Sequence, residues 1–196
     1  MNFFRLQRER PGELIHLDIK SLGRFDKPGH RVTAGRKGNR NTGAGWDCVH
    51  VAIDDATRLA YVEVLPDQTR GTTTGFLVRA LRWFRTRGIT VERVMTDNGS
   101  AYVSRLFAMA LRWLNIRHIR TRPYTPRTNG KAERFIQTLL REWAHAISYR
   151  SSESRNRHLK RYLDWYNTAR PHYALNRQPP ATRLDALLNN VMRNDT

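Results

Sequence analysis

The spacing of apolar and polar positions along the chain predicts a mixed α/β order. Residues 13–19 (ELIHLDI) alternate well enough to form a first strand, with Leu14, His16 and Asp18 on one face and Ile15, Leu17 and Ile19 on the other. Residues 22–45 are rich in glycine, arginine and lysine and poor in apolar side chains, which predicts a long loop or hairpin extension. Two strand-like runs follow, residues 48–53 and 59–65, joined by the turn sequence DDATR as a hairpin. Phe76, Leu77, Ala80, Leu81 and Phe84 then recur at helical spacing up to Gly88. A short strand at 91–95, a helix marked by Phe107, Leu111 and Leu114, and a strand at 116–119 complete the sheet-forming half.

The segment 121–130 (TRPYTPRTNG) cannot be regular, with two prolines and a glycine. From Lys131 a long helix is expected, because Phe135, Ile136, Leu139, Leu140, Trp143 and Ile147 recur at steps of three and four; Asn129 or Thr128 is its candidate cap. Leu159, Leu163 and Tyr166 mark another helix, residues 176–180 a turn, and Leu184, Leu187, Leu188 and Val191 a last one. The expected division is a tail at 1–12, a core at 13–175 carrying the basic insertion 22–45, and a C-terminal turn and helix at 176–196. No repeat or low-complexity tract interrupts it.

The chain has 196 residues, enough for one sizeable core. Lys and Arg number 35 against 17 Asp and Glu, a formal net charge of +18, which calls for an anionic partner, nucleic acid first. Structural nucleic-acid binders share that balance, so charge names no chemistry. No apolar run suggests a membrane span, and the basic N-terminus lacks a signal-peptide core. Cys48 stands alone, so neither a disulfide nor a thiolate metal site is available, and a reducing cytoplasm is the simpler expectation. Its plain reading is a small buried side chain in a strand.

Three carboxylates change the picture. Asp18 sits within an apolar strand pattern, a poor place for an unpaired charge. Asp97 follows a short strand, where ligands gather in α/β sheets. Glu133 lies in the first turn of the long helix. Each has an ordinary alternative: a buried ion pair for Asp18, a turn former for Asp97 before Asn-Gly, a helix-dipole acid for Glu133. If they converge, their mutual repulsion requires cations, and oxygen ligands suit Mg²⁺ or Mn²⁺. Two such ions at one site can drive phosphodiester chemistry.

Asp97 and Glu133 are separated by 35 residues, with Asp18 upstream. This spacing resembles the D…D-35-E arrangement of retroviral integrases and bacterial insertion-sequence transposases. So do the segments His16-Leu17-Asp18, Thr96-Asp97-Asn98-Gly99-Ser100, Arg122-Pro123-Tyr124-Thr125-Pro126, Asn129-Gly130-Lys131-Ala132-Glu133-Arg134 and Tyr166-Asn167-Thr168-Ala169-Arg170-Pro171-His172. In this order they resemble the integrase core of such transposases over nearly the whole chain.

The resemblance implies a ribonuclease H-like fold: a five-stranded mixed sheet ordered 3-2-1-4-5, with helices on both faces. It implies that Asp18, Asp97 and Glu133 are the catalytic residues and the ligands of two Mg²⁺ or Mn²⁺ ions. The implied reaction is cleavage at transposon ends followed by 3′-hydroxyl transfer into target DNA. A homodimer or larger assembly on DNA is the implied state. Only some twelve residues precede the first strand, so a helix-turn-helix reader is not expected in this chain, as in an excised or truncated form. The alternatives are an inactive DNA-binding or assembly fragment, or a nuclease that cuts without joining. Candidate DNA contacts are Lys131, Arg134, Arg127, Arg122, Arg120, Asn98, and Arg36 and Lys37 in the basic insertion. His16 is a candidate supporting residue beside Asp18, with plain packing as its alternative. Trp83, Trp113, Trp143 and Trp165 lie in helical patterns and are expected to pack rather than stack on bases. Arg170 is expected to pair with an acid, fastening the C-terminal part.

Overall fold

The computed structural model describes residues 8–27, 45–121 and 129–194. Arg36 and Lys37, Arg122 and Arg127, the candidate cap Thr128 and most of the basic insertion lie outside the described residues.

Strand β1 (Ile15–Gly23) is the middle of the sheet. It pairs antiparallel with β2 (Trp46–Asp54), and β2 pairs antiparallel with β3 (Ala60–Leu65). On its other side β1 pairs parallel with β4 (Arg93–Thr96), which pairs parallel with β5 (Arg117–Arg120). The order is β3-β2-β1-β4-β5, as the resemblance implies. The parallel crossovers run through α1 (Arg70–Arg85) and α2 (Arg105–Trp113). The remaining helices are α3 (Gly130–Leu139), α4 (Ser152–Arg157), α5 (Leu159–Thr168) and α6 (Pro180–Asn194).

Two apolar cores, one on each face of the sheet, explain the patterning. Ile15 and Leu17 pack with Phe76, Leu77 and Phe84 of α1, Phe107 and Leu111 of α2, and Leu184 of α6. Val49, Val51 and Ile53 pack on the opposite side with Phe135, Ile136 and Leu139 of α3 and with Leu159, Tyr162 and Tyr166 of α5. Because β2 is covered on both faces, its residues are buried almost without alternation, Cys48 among them. Thr69 caps α1 by accepting the Thr72 N–H, and Ser104 caps α2 by accepting that of Phe107. Gly88, at φ 74°, turns the chain out of α1 in a conformation that favours glycine.

Element ends shift by a few residues from the expected ones, and three differences have physical causes. The helix expected to run from Lys131 through Ile147 leaves α geometry after Leu139 and closes in a π turn, Leu140–Ala144. Trp143 is there driven inward, its indole N–H donating to the Arg155 carbonyl at 2.9 Å, while Tyr149 Oη–H donates to the Trp143 carbonyl at 2.8 Å. Ile147 is consequently left 60% exposed. The short helix α4 was not expected, since SESRNR carries no apolar period; it is held by the Ser151 cap and by buried Arg155, whose guanidinium donates to Asp47 at 2.7 Å. Trp113 is 88% exposed, so the expectation that it packs is corrected: α2 buries only its Phe107–Leu111 edge and leaves the tryptophan beyond it.

Candidate active site

The site is built where β1, β4 and the start of α3 meet. The parallel register pairs Ile15 with Val94 and His16 with Met95. Carried two residues further, the same register sets Asp18 opposite Asp97, both past the carboxyl end of β4. Asp18 leaves the sheet face that packs on α1 and α2, since Leu17 and Ile15 occupy that core. Its carboxylate accepts the Ile19 N–H at 2.8 Å. Asp97 is oriented within its own turn, where Oδ1 accepts the Gly99 N–H at 2.9 Å. A Cβ at position 99 would sit 3.0 Å from that oxygen, so glycine leaves the carboxylate its room. Asn98 donates through Nδ2 to the Thr121 carbonyl at 2.8 Å and thereby ties this turn to the end of β5. Glu133 projects to solvent from the first turn of α3.

Asp18 senses both partners. Burial pushes its carboxyl up to about 6, against the Ile19 hydrogen bond, and the charges of Asp97 and Glu133 push the same way. The buried Tyr102 hydroxyl is likewise raised, by burial and then by Asp18 and Asp97. Three carboxylates therefore share one electrostatic neighbourhood, although among the described residues no three acidic, histidine or cysteine side chains close around a single point as ligands of one ion. Like charges keep their distance without a counter-charge between them.

A second cluster, which the sequence did not disclose, holds α3 against β1. His16 Nε2 lies 2.7 Å from Asp55 Oδ1, and its Nδ1 lies 3.1 Å from Asn129 Oδ1. Asn129 also donates through Nδ2 to the Leu17 carbonyl at 3.2 Å. Lys131 Nζ is 2.5 Å from Asp55 Oδ1, and the Arg8 N–H donates to Asp55 Oδ2 at 2.7 Å. Burial pushes the Asp55 carboxyl up, but the hydrogen bonds from His16, Lys131 and Arg8 outweigh it and hold the group down at about 2. Burial lowers Lys131 from its ordinary value, against the pull of Asp55.

Two expectations are adjusted by this cluster. Asn129 stands at the helix start but makes no side-chain cap, its amide being spent on β1 and His16. Lys131 is turned to a buried carboxylate. His16, expected beside Asp18, makes its side-chain hydrogen bonds to Asp55 and Asn129. Asp55 read only as half of a hairpin turn, and nothing local in DDATR marks it as the acid that receives His16 and Lys131.

Arg134 is exposed on α3 and makes no ion pair with any described residue, and Arg120 ends β5 at the surface, next to the Thr121 that receives Asn98. Arg170 is paired as expected: its Nε and a terminal nitrogen both donate to Glu142, each at 2.7 Å. No helix among the described residues is long and apolar enough to cross a membrane.

Comparison with known proteins follows the same lines. Residues 8–126 match the model of one integrase core domain family, and residues 114–180 match another model also described as an integrase core domain. A protein of insertion element IS136 from Agrobacterium fabrum is 32% identical over 102 residues, covering 50% of this chain and 51% of that protein. The retrovirus-related Pol polyprotein from transposon TNT 1-94 of Nicotiana tabacum is 36% identical over 88 residues, 45% of this chain and 7% of the polyprotein. The chain spans about half the length, or less, of the curated relatives it matches. Among solved structures, the catalytic core domain of BIV integrase aligns at a TM-score of 0.61 with 15% identity, covering 94% of this chain and 99% of that one. The HTLV-2 integrase catalytic core domain in complex with magnesium aligns at 0.61 with 16% identity, covering 88% and 95%. At these identities the structures speak to the fold.

Proposed function

The chain belongs to the integrase core domain family, and on that premise we propose that it is the catalytic domain of a DNA transposase, cutting at transposon ends and joining the freed 3′-hydroxyl to target DNA. The observation that carries the reading is the parallel β1–β4 register, which sets Asp18 opposite Asp97 beyond the end of β4. Glu133 lies near enough for its charge, after burial and with that of Asp97, to raise the Asp18 carboxyl. A carboxylate so destabilised is relieved by cations, and the donor set is all oxygen, which fits Mg²⁺ or Mn²⁺. Mg²⁺ takes one or two protein carboxylates and completes its shell with water and phosphate oxygens. Asp18, Asp97 and Glu133 are the residues that would hold such ions, the remaining positions being left to water and phosphate oxygens. The relative whose structure contains magnesium has the same fold.

Bound there, such ions would activate the attacking hydroxyl and offset charge on the scissile phosphate. The chain's own residues orient the reactants. Asn98 and Gly99 hold Asp97 in its turn, and the His16–Asp55–Asn129 cluster fixes the helix that carries Glu133. Arg134, Arg120 and, from the sequence, Arg122 and Arg127 supply positive charge for the phosphate backbone, consistent with the net charge of +18. Arg36 and Lys37 would extend that surface along the basic insertion. The active form is proposed to be a dimer or larger assembly on paired DNA ends.

The test is incubation with labelled element-end DNA and Mg²⁺ or Mn²⁺, comparing the chain with Asp97→Asn. Nicked and joined products that fall at least a hundredfold in the variant are expected. Equal products from both proteins would remove the assignment of Asp97, and cutting without joining would leave a nuclease.

A further inference from the structure

Behind the helix that carries Glu133 lies a recess of about 500 Å³. Arg134 follows Glu133 in sequence and so points about 100° away around α3, toward this recess rather than the carboxylates. Arg134, Arg141 and Arg170 line it, and its lining contains no aspartate or glutamate. Arg170 is neutralised by Glu142, and Arg141 touches the same acid at 3.1 Å from an exposed position. Arg134 has no such partner among the described residues, so the recess retains positive charge.

Three further features separate it from a bare phosphate site. Tyr173 stands on its lip with 86% of its surface exposed, in the short 3-10 turn Tyr173–Leu175. A phosphate alone would leave most of the volume empty and would not engage the phenol ring, which has the Arg177 guanidinium 5.6 Å from its centre. On the inner wall, Tyr166 and His172 meet edge to face at 4.7 Å. One ring nitrogen of His172 donates to the Tyr166 backbone, and burial holds the imidazole neutral by pushing its pKa down to about 4. The other nitrogen, Nε2, is buried and has no hydrogen-bond partner among the described residues. In that tautomer Nε2 is an acceptor. The phosphodiester of a DNA strand has no proton to offer it, whereas a nucleobase has N–H groups.

We infer that this recess receives one unstacked nucleotide of a DNA strand, with its phosphate on Arg134 and Arg141, its base against Tyr173, and a base N–H directed at His172 Nε2. The inference rests on the DNA-directed reading above and extends it to a second, metal-independent contact. An anchor there would fix the strand relative to α3, and hence relative to Glu133, without taking part in bond making or breaking. Stacking on an exposed aromatic ring combined with cationic backbone contacts is the usual basis of single-strand binding.

The experiment uses the full chain in EDTA, so that binding is read without catalysis. A single-stranded oligonucleotide carrying 5-iododeoxyuridine is bound, irradiated and mapped by peptide mass spectrometry, and affinities are measured by fluorescence anisotropy. Crosslinks at Tyr173 are expected. Tyr173→Ala and Arg141→Glu should each bind roughly tenfold more weakly, while Tyr173→Phe, which retains the ring face, should bind as the parent does. Because both side chains are exposed, circular dichroism of the variants should match the parent. Crosslinks that avoid Tyr173, or unchanged affinity in Tyr173→Ala, would overturn the inference. Loss of the Tyr173 crosslink to competing thymidine 5′-monophosphate at lower concentration than the oligonucleotide would make this a free-nucleotide site and overturn the strand assignment. Cleavage in Mg²⁺ without Tyr173 crosslinks would sink the recess alone, and crosslinks without cleavage would sink the catalytic reading alone.

Discussion

Replacing Asp55 by asparagine tests whether the buried cluster holds α3 in place. The substitution keeps the side-chain volume and an oxygen acceptor but removes the charge that faces Lys131 at 2.5 Å and His16 at 2.7 Å. Asp55 is 1% exposed at its side chain and Lys131 25%, so the ammonium is left without its counter-charge where solvent compensates only in part. Losing one member of such a pair costs about 2–4 kcal/mol. An independent figure comes from linkage. The carboxyl is held at about 2 against an ordinary 3.8, so the folded state binds this proton less readily than the unfolded chain. The corresponding stability, about 2 kcal/mol, is complete above about pH 5, half gone by about pH 3 and mostly gone by about pH 2. Urea unfolding at pH 7 should thus show Asp55→Asn destabilised by about 2–4 kcal/mol, with the gap to the parent narrowing as pH falls toward 3. A double-mutant cycle with Lys131→Met should return a coupling of about 1–3 kcal/mol. A gap under about 0.5 kcal/mol at pH 7, or one that stays constant down to pH 3, would refute the reasoning.

Gly12→Ala should destabilise the fold by at least about 2 kcal/mol in the same assay, because Gly12 has φ 81° and an added Cβ would collide with the Thr90 carbonyl. Asn167→Ala should cost about 1–3 kcal/mol and speed amide exchange at β3. Its side chain accepts the Ala60 N–H and donates to the Ala60 carbonyl, both at 2.9 Å, in place of a further strand. His172 is neutral when folded, with its pKa lowered from 6.5 to about 4, so the unfolded chain takes up its proton first. Its contribution is intact above about pH 6.5 and is lost as pH falls toward 4; this loss, at most about 2 kcal/mol with partial solvent access allowed for, should be missing in His172→Phe.

Strand and helix identities were legible because each element buries one face, and burial imposes its period on the chain. Phe76, Leu77, Ala80 and Phe84 announce α1 in this way, and all four are in the core. The carboxylate spacing was legible for a different reason, its resemblance to the D…D-35-E arrangement of integrases and insertion-sequence transposases. Helix ends were less readable. The continuation expected through Ile147 fails because Trp143 turns inward toward Arg155, a residue twelve positions away whose own helix has no apolar signature.

Local pattern therefore decided which segments are strands or helices and which side of each is apolar, because those follow from neighbours within a turn or two. Tertiary structure alone decided that Asp55 meets His16 and Lys131, that Asn129 reaches Leu17 instead of capping its helix, and that Arg170, beyond the end of α5, joins Arg134 and Arg141 at one recess. Polar partnerships of this kind join residues up to 132 positions apart. They carry no periodicity: a hydrogen bond needs two atoms within about 3 Å, and only the packed chain determines which two arrive.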